Sequence, residues 1–318
     1  MLKLRPYFNM QIRNLSLLFS LILSACSSTK NIPYSSPNPN KDIVFLNLTE
    51  ALFQPNKTEF LNLRNQELTE INPEISNLSN LKFLNLMKNK LPILPDVVCE
   101  LNNLRELNIR DNKITALNPE IKQLKELLIL DMAKNKIEFY PNEFGQLTLL
   151  ENLFSSNNQI KELNESFSGL KSLRFLELQN NQIIKLPSHL SKLQNIVNIN
   201  FSNNKINTID SQVFYNKMEL KSINLELNQL QVLPATISEC KSLNTLILSY
   251  NQLKELPNSI CQLHDLEVLL LSGNQIKKMP QDIEKLKSLR TLIIKDNPLA
   301  TEEINRIRKA LPLCTIIF

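Results

Sequence analysis

The chain has 318 residues, a formal net charge of +5, three glycines, two histidines, five cysteines and no tryptophan. So few glycines leave little for loops that cradle phosphate, where backbone must turn sharply and approach the ligand closely. The thin basic excess is scattered rather than clustered, which argues against nucleic acid. The cysteines form no CxxC and no compact framework, which argues against a metal site.

The N-terminus reads as an export signal. Lys3, Arg5 and Arg13 precede an apolar run from Leu15 to Leu23, with no acidic residue between. That run is nine residues long, whereas a helix crossing a bilayer needs about 20. Small residues follow, the layout of a secretory signal peptide. Leu23-Ser24-Ala25-Cys26 resembles the bacterial lipoprotein lipobox. The resemblance implies that residues 1–25 are removed and Cys26 is acylated. The mature protein is then exported and lipid-anchored to the cell envelope, at the outer membrane or cell surface. An ordinary signal peptide with an incidental cysteine is the alternative. Residues 26–41 continue as SSTKNIPYSSPNPNK after the cysteine and read as a flexible tether. At about 3.1 Å per residue it reaches roughly 45 Å when extended.

Residues 42–57 contain TEALFQ, a short helix within an N-terminal cap. From residue 58 one pattern recurs with a 23-residue period: LKFLNLMKNKL at 81, LRELNIRDNKI at 104, LRFLELQNNQI at 173, LNTLILSYNQL at 243, LEVLLLSGNQI at 266 and LRTLIIKDNPL at 289. Eleven repeats fill 58–299. LxxLxLxxNxL resembles the leucine-rich repeat, and the following LPxxIxxLxxL resembles its subclass with short convex helical turns. The resemblance implies an α/β solenoid, a horseshoe with a parallel sheet on its concave face and helical or 3-10 segments on its convex face. The LxL alternation points Leu84 and Leu86 inward while Phe83, Asn85 and Met87 point out.

The ninth position carries Asn89, Asn112, Asn135, Asn158, Asn181, Asn204, Asn228, Asn251, Asn274 and Asn297, a structural ladder that supplies donors and acceptors to turn backbone. Pro95, Pro141, Pro187, Pro234, Pro257 and Pro280 are expected in the first turn of each convex segment. Ser155 stands at an inward position that is otherwise large and apolar, with Phe144, Phe167 and Met132 as the expected fillers. The seventh repeat, containing IDSQVFYNKMELKSI, is one residue longer than the rest. Residues 300–318 read as a C-terminal cap, a helix stopped by Pro312 and a last strand. Cys240 falls at a core position and reads as a small hydrophobe. A bridge to Cys261 in the next repeat stays open.

No catalytic constellation emerges. His189 and His264 fall in separate convex segments, and no nucleophile, acid-base pair or metal cluster converges. Neither a cofactor nor a metal is expected. What remains is the concave face. Ile247, Leu270 and Ile293 make an apolar row there, bordered by Val268, with Leu227 and Tyr250 beside it. Together they are expected to expose several hundred Å², the size of a partner site. A second cluster gathers Phe60 and Phe83 with Arg64 and Arg110 nearby. The competing reading has these apolar side chains simply packing on one another. The sequence thus points to a non-catalytic, membrane-anchored module that binds a protein or glycan partner. A periplasmic envelope scaffold is the alternative. A signalling adaptor resembling intracellular Ras-binding or plant disease-resistance repeats conflicts with the export signal.

Overall fold

The structure is a computed structural model that describes residues 36–38 and 41–318. Residues 1–25, Cys26 and most of 27–41, with the signal-peptide, lipidation and tether readings that fall on them, lie outside the described residues. The chain divides into two units, 1–38 and 39–318, and every described strand and helix belongs to the second.

Eleven three-residue strands follow the eleven repeats: β2 (Phe60–Asn62), β3 (Phe83–Asn85), β4 (Glu106–Asn108), β5 (Ile129–Asp131), β6 (Asn152–Phe154), β7 (Phe175–Glu177), β9 (Asn198–Asn200), β11 (Ser222–Asn224), β12 (Thr245–Ile247), β13 (Val268–Leu270) and β14 (Thr291–Ile293). β1 (Val44–Phe45) pairs at one edge and β15 (Thr315–Ile317) at the other, closing a 13-stranded parallel sheet in chain order. β1 had no signal in the sequence, being two residues long. β8 (Lys185–Leu186) and β10 (Thr208–Ile209) form a separate parallel pair beside the longer seventh repeat. Three helices, α1 (Leu48–Phe53), α2 (Asp96–Cys99) and α3 (Thr301–Ala310), join a series of 3-10 segments to complete the α/β solenoid.

The alternation does what its period requires. The central residue of each repeat strand is buried, Leu61, Leu84, Leu130 and Leu292 fully so, and each stacks in register on the next. The turn after each strand is held by the ladder Asn, four residues past the strand's end. Asn181 is representative: its Nδ2 donates to the carbonyls of Ser155 and Leu178, both at 3.0 Å, and its Oδ1 accepts from the Ile160 N–H at 3.0 Å. The ten ladder residues repeat this set, so each amide ties its own turn to the preceding repeat. Across the longer seventh repeat Asn228 reaches back 27 residues to Phe201, where the others span 26. The residue just before each ladder Asn is left-handed, from Lys88 through Asp296, with φ between 52° and 65°.

The prolines sit one position earlier than expected. Pro95, Pro141, Pro187, Pro234 and Pro257 have extended backbone and cap the convex segments from outside, and Pro280 precedes a segment that starts only at Ile283. The carbonyl of each capping proline accepts the first turn's N–H, as from Phe144 to Pro141 at 3.0 Å and Ile260 to Pro257 at 3.0 Å. A proline φ near −65° suits both states, and the extended one orients the carbonyl as an acceptor. Pro73 and Pro119, each preceded by a capping Asn, lie inside the first turn.

Ser155 is buried, and Phe144, Phe167 and Met132 are buried around it. Tyr140 completes the filling, a residue that the repeat pattern did not single out. It stands where other repeats carry Leu, and its ring centroid lies 4.8 Å from those of Phe144 and Phe167. Its buried hydroxyl faces the Ser155 hydroxyl without a well-formed hydrogen bond, and burial raises the phenol pKa. Gly145 and Gly169 let the two convex segments close on each other. A Cβ at Gly145 would strike the Ser166 carbonyl, and one at Gly169 the Gly145 carbonyl.

The long repeat carries a second device. Lys217 is 3% exposed, and its Nζ donates to the carbonyls of Leu190 at 2.9 Å, Ser191 at 3.0 Å and Leu193 at 2.5 Å. It closes the carbonyl end of the 3-10 segment Ser188–Lys192 of the preceding repeat. Cys240 lies nearby with its Sγ 3.9 Å from the Phe214 carbonyl, and burial pushes its thiol up to about 12. Cys240 and Cys261 are both free, so the bridge left open by their spacing is not formed. At the far end, Glu303 accepts from the Met279 N–H at 2.8 Å, while Arg306 pairs with Glu303 and donates to the Met279, Pro280 and Gln281 carbonyls. These residues do more than offset the helix dipole: they fasten α3 to the tenth repeat.

Replacing Asn181 by Ala leaves the Ile160 N–H unpaired in a buried layer and takes one of two amide donors from each of the Ser155 and Leu178 carbonyls, which keep Asn158 and Asn204, and is expected to cost about 3 kcal/mol. Asn297→Ala, at the partly exposed end, should cost less; urea midpoints of the two variants check the order. Burial lowers the Lys217 ammonium from its usual 10.5 to about 8. Between those values the unfolded chain holds a proton that the fold has released, so the native state gains stability as pH rises through the window. Melting curves at pH 7.5 and 10 should show wild type gaining on Lys217→Met at the higher pH.

Candidate binding site on the concave face

The outward side chains form three rows, and the middle row divides sharply. Asn62, Asn85, Asn108, Asp131, Asn200 and Asn224 each turn an Oδ1 onto the N–H two residues ahead, at 2.9–3.1 Å. These acceptors serve their own backbone. The row is interrupted by Phe154 and Glu177, and again by Ile247, Leu270 and Ile293. A partner meets side-chain chemistry that the fold does not already use at those two breaks.

The C-terminal break is contiguous, since Ile247, Leu270 and Ile293 pair in register. It exposes far less than expected. Ile247 and Leu270 are 5% and 7% exposed, and Val268 and Ile293 are half-buried. Strands about 4.8 Å apart set branched side chains against one another, so each covers its neighbour. An expected surface of several hundred Å² is therefore reduced to a shallow strip. The row gains one member that the pattern missed, Ile317 of β15, paired with Ile293 and 46% exposed. Ile317 lies outside the repeat period, so the outward row traced by the repeats stops at Ile293.

Leu227 and Tyr250 lie on the rim rather than on the sheet. Both occupy the left-handed position before the ladder Asn, with φ of 56° and 57°. That conformation is uncommon for residues with bulky side chains. The Tyr250 ring, 39% exposed, lies over Gly273, where a Cβ would come within 2.5 Å of it. Gly273 thus makes room for an aromatic side chain at the edge of the strip.

The N-terminal cluster comes together only in part. Phe60 and Phe83 are cross-strand neighbours, Phe60 half-buried and Phe83 9% exposed. Arg64 is exposed, but Arg110 stands two repeats further along and turns to Asp131, Nη1 to Oδ2 3.6 Å. The nearest carboxylate wins because Asp131 is on the adjoining strand and partly desolvated, its pKa raised first by burial and offset by the Ala133 N–H and Arg110.

No catalytic geometry accompanies these surfaces. His189 Nδ1 lies 3.3 Å from Glu165 Oε1 on the convex side, and His264 is exposed in another convex segment. Among the described residues no group of His, Cys, Asp or Glu is placed to hold a metal, and no helix is long and apolar enough to cross a membrane. A groove of about 510 Å³ opens between α1 and the first repeat, lined by Leu48, Phe53, Leu68 and Ile71.

Comparison with solved structures gives three informative neighbours. A Listeria monocytogenes internalin is 21% identical, covers 83% of this chain and 81% of its own, and superposes with a TM-score of 0.65. A TDR receptor is 27% identical over 87% of this chain, with a TM-score of 0.73, and this chain spans 50% of it. The plant peptide hormone receptor RGFR1, solved in complex with RGF2, is 25% identical over 78% of this chain and 45% of its own, with a TM-score of 0.61. Comparison with curated protein sequences gives no match. The leucine rich repeat family model matches residues 56–114, 102–160, 218–276 and 241–299, and a second model of the repeat matches 172–193. With those matches over more than half its length and a 13-stranded parallel sheet built from the same period, the chain belongs to the leucine-rich repeat family.

Proposed function

We propose that this is a non-catalytic binding module, held to a bacterial envelope by a lipid on Cys26, whose concave face takes a protein partner. The observation that carries the reading is the division of the middle row. Six polar positions serve their own backbone, while two breaks present aromatic, acidic and aliphatic side chains from neighbouring strands. A 13-stranded sheet stapled by amides holds those side chains at fixed spacing, so little conformational freedom is lost on binding. RGFR1, a receptor solved with its peptide hormone, supports a peptide or protein partner over a glycan. The lipobox, the basic leader and the Pro/Asn tether support the anchor. A scaffold within the periplasm is the second reading, and the same export signal favours it equally.

Cys26→Ala is expected to abolish metabolic lipid labelling and release the protein from the membrane fraction; labelling that persists in the variant overturns the anchor. Protease applied to intact cells separates surface display, in which the protein is lost, from a periplasmic scaffold, in which it survives. On the concave face Leu270 is too buried to test binding cleanly, because an Asp there would be desolvated. Ile317→Asp, at an exposed edge, is expected to weaken partner capture at least tenfold with melting within about 2 °C of wild type. A large drop in melting with unchanged capture would make the strip structural.

A further inference from the structure

Among the described residues both edges of the long sheet are open. β1 has β2 on one side only, and β15 has only β14. An open edge presents unpaired N–H and C=O groups, a template for one more strand. The core is unfinished at the same two places. Phe45 stands in register with Leu61 and Ile316 with Leu292; both leucines are fully buried, yet Phe45 and Ile316 are only half-buried, with no further repeat laid over them.

The caps of a solenoid normally turn a polar face outward. These turn apolar side chains outward instead. Ile43, Leu46 and Phe53 are exposed at the N-terminal end, Phe53 by 81%, and Phe53 also lines the groove between α1 and the first repeat. At the other end Leu313 is 95% exposed and Phe318 is half-buried. The two ends carry opposite charge. The N-terminal cap and first repeat, residues 42–80, hold six carboxylates and two cations, with Glu50, Glu70 and Glu74 exposed. The last repeat and C-terminal cap, residues 289–318, hold five cations and three carboxylates, with Arg308 and Lys309 exposed.

We propose that the two ends are halves of one interface and that its partner is a second copy of this chain, joined head to tail with its β1 alongside β15. Both edge strands run parallel to the rest of the sheet, so a joined copy continues it in the same direction, and Phe45 falls opposite Ile316 as the next pair of core residues. Charge selects this contact over the pairing of like ends, which would set carboxylates against carboxylates or cations against cations. Because the two surfaces differ, the contact is heterologous and can repeat from copy to copy. A tether reaching roughly 45 Å lets copies anchored in one membrane meet in this way. The inference is independent of what the concave face holds.

Sedimentation of the full-length protein in a neutral detergent tests it. The mass of the wild type is expected to rise above one copy as concentration is raised, and to fall back as salt screens the opposing charges. Leu313→Asp and Leu46→Lys each place a charge like that of the opposing end on an exposed position. Each should weaken self-association about tenfold or more, with melting close to wild type. Each variant also keeps one intact end, so a mixture of the two should form a one-to-one complex, while the double variant should stay a single copy. Wild type that sediments as one copy at every concentration, or variants that associate as wild type does, overturn the proposal. A mixture that gains no one-to-one complex overturns it as well, since any association would then join like ends.

Discussion

Everything in this molecule depends on one side-chain amide used ten times. A turn after every three-residue strand leaves carbonyls and an N–H inside the solenoid, where no water reaches them, and an unpaired buried group costs about 1–3 kcal/mol. Asparagine answers with two donors and an acceptor on a short stem. Because its bonds run to its own turn and to the preceding repeat, the same residue that satisfies a turn also fixes the spacing between neighbours. No repeat could bury its apolar side alone, so this coupling is what turns eleven marginal units into one sheet. Where the ladder begins, Gln66 replaces Asn and its amide reaches to the Leu46 carbonyl on the way from β1 to α1.

A second set of amides follows from the first. The left-handed residue before each ladder Asn bends the chain away from the strand, and the concave Asn or Asp three residues before the bend accepts from the N–H of the residue just ahead of it. This makes much of the polar concave face self-engaged. The face is therefore better described by where that local bond is absent than by which residues point outward. At the C-terminal break Ile247 and Leu270 are covered by their neighbours; at the Phe154–Glu177 break both side chains stay half-exposed.

Irregular repeats are repaired from a distance. Ser155 is compatible with the core only because Tyr140, fifteen residues earlier, supplies an aromatic ring and a hydroxyl that faces it. The extra residue of the seventh repeat is accompanied by Lys217, whose ammonium closes three carbonyls of the sixth. In both places a local violation of the pattern is balanced by a residue that looks unremarkable where it stands.

Periodicity alone was enough to establish the number of repeats, the inward leucines, the ladder, and hence the parallel sheet, because each of these is a property of spacing along the chain. Phe144, Phe167 and Met132 were legible for the same reason, as substitutions at known positions. The sequence could also mark Ile247, Leu270 and Ile293 as an outward row, and Phe60 beside Phe83. It could not measure how much of them water reaches, because exposure depends on what the neighbouring strand sets 4.8 Å away. Tertiary structure alone moved Leu227 and Tyr250 to the rim, drew Arg110 to Asp131, added Ile317, and left Asn198 and Ser222 without partners. Pattern decides which way a side chain points; only packing between repeats decides whether it is covered, paired or left for a partner.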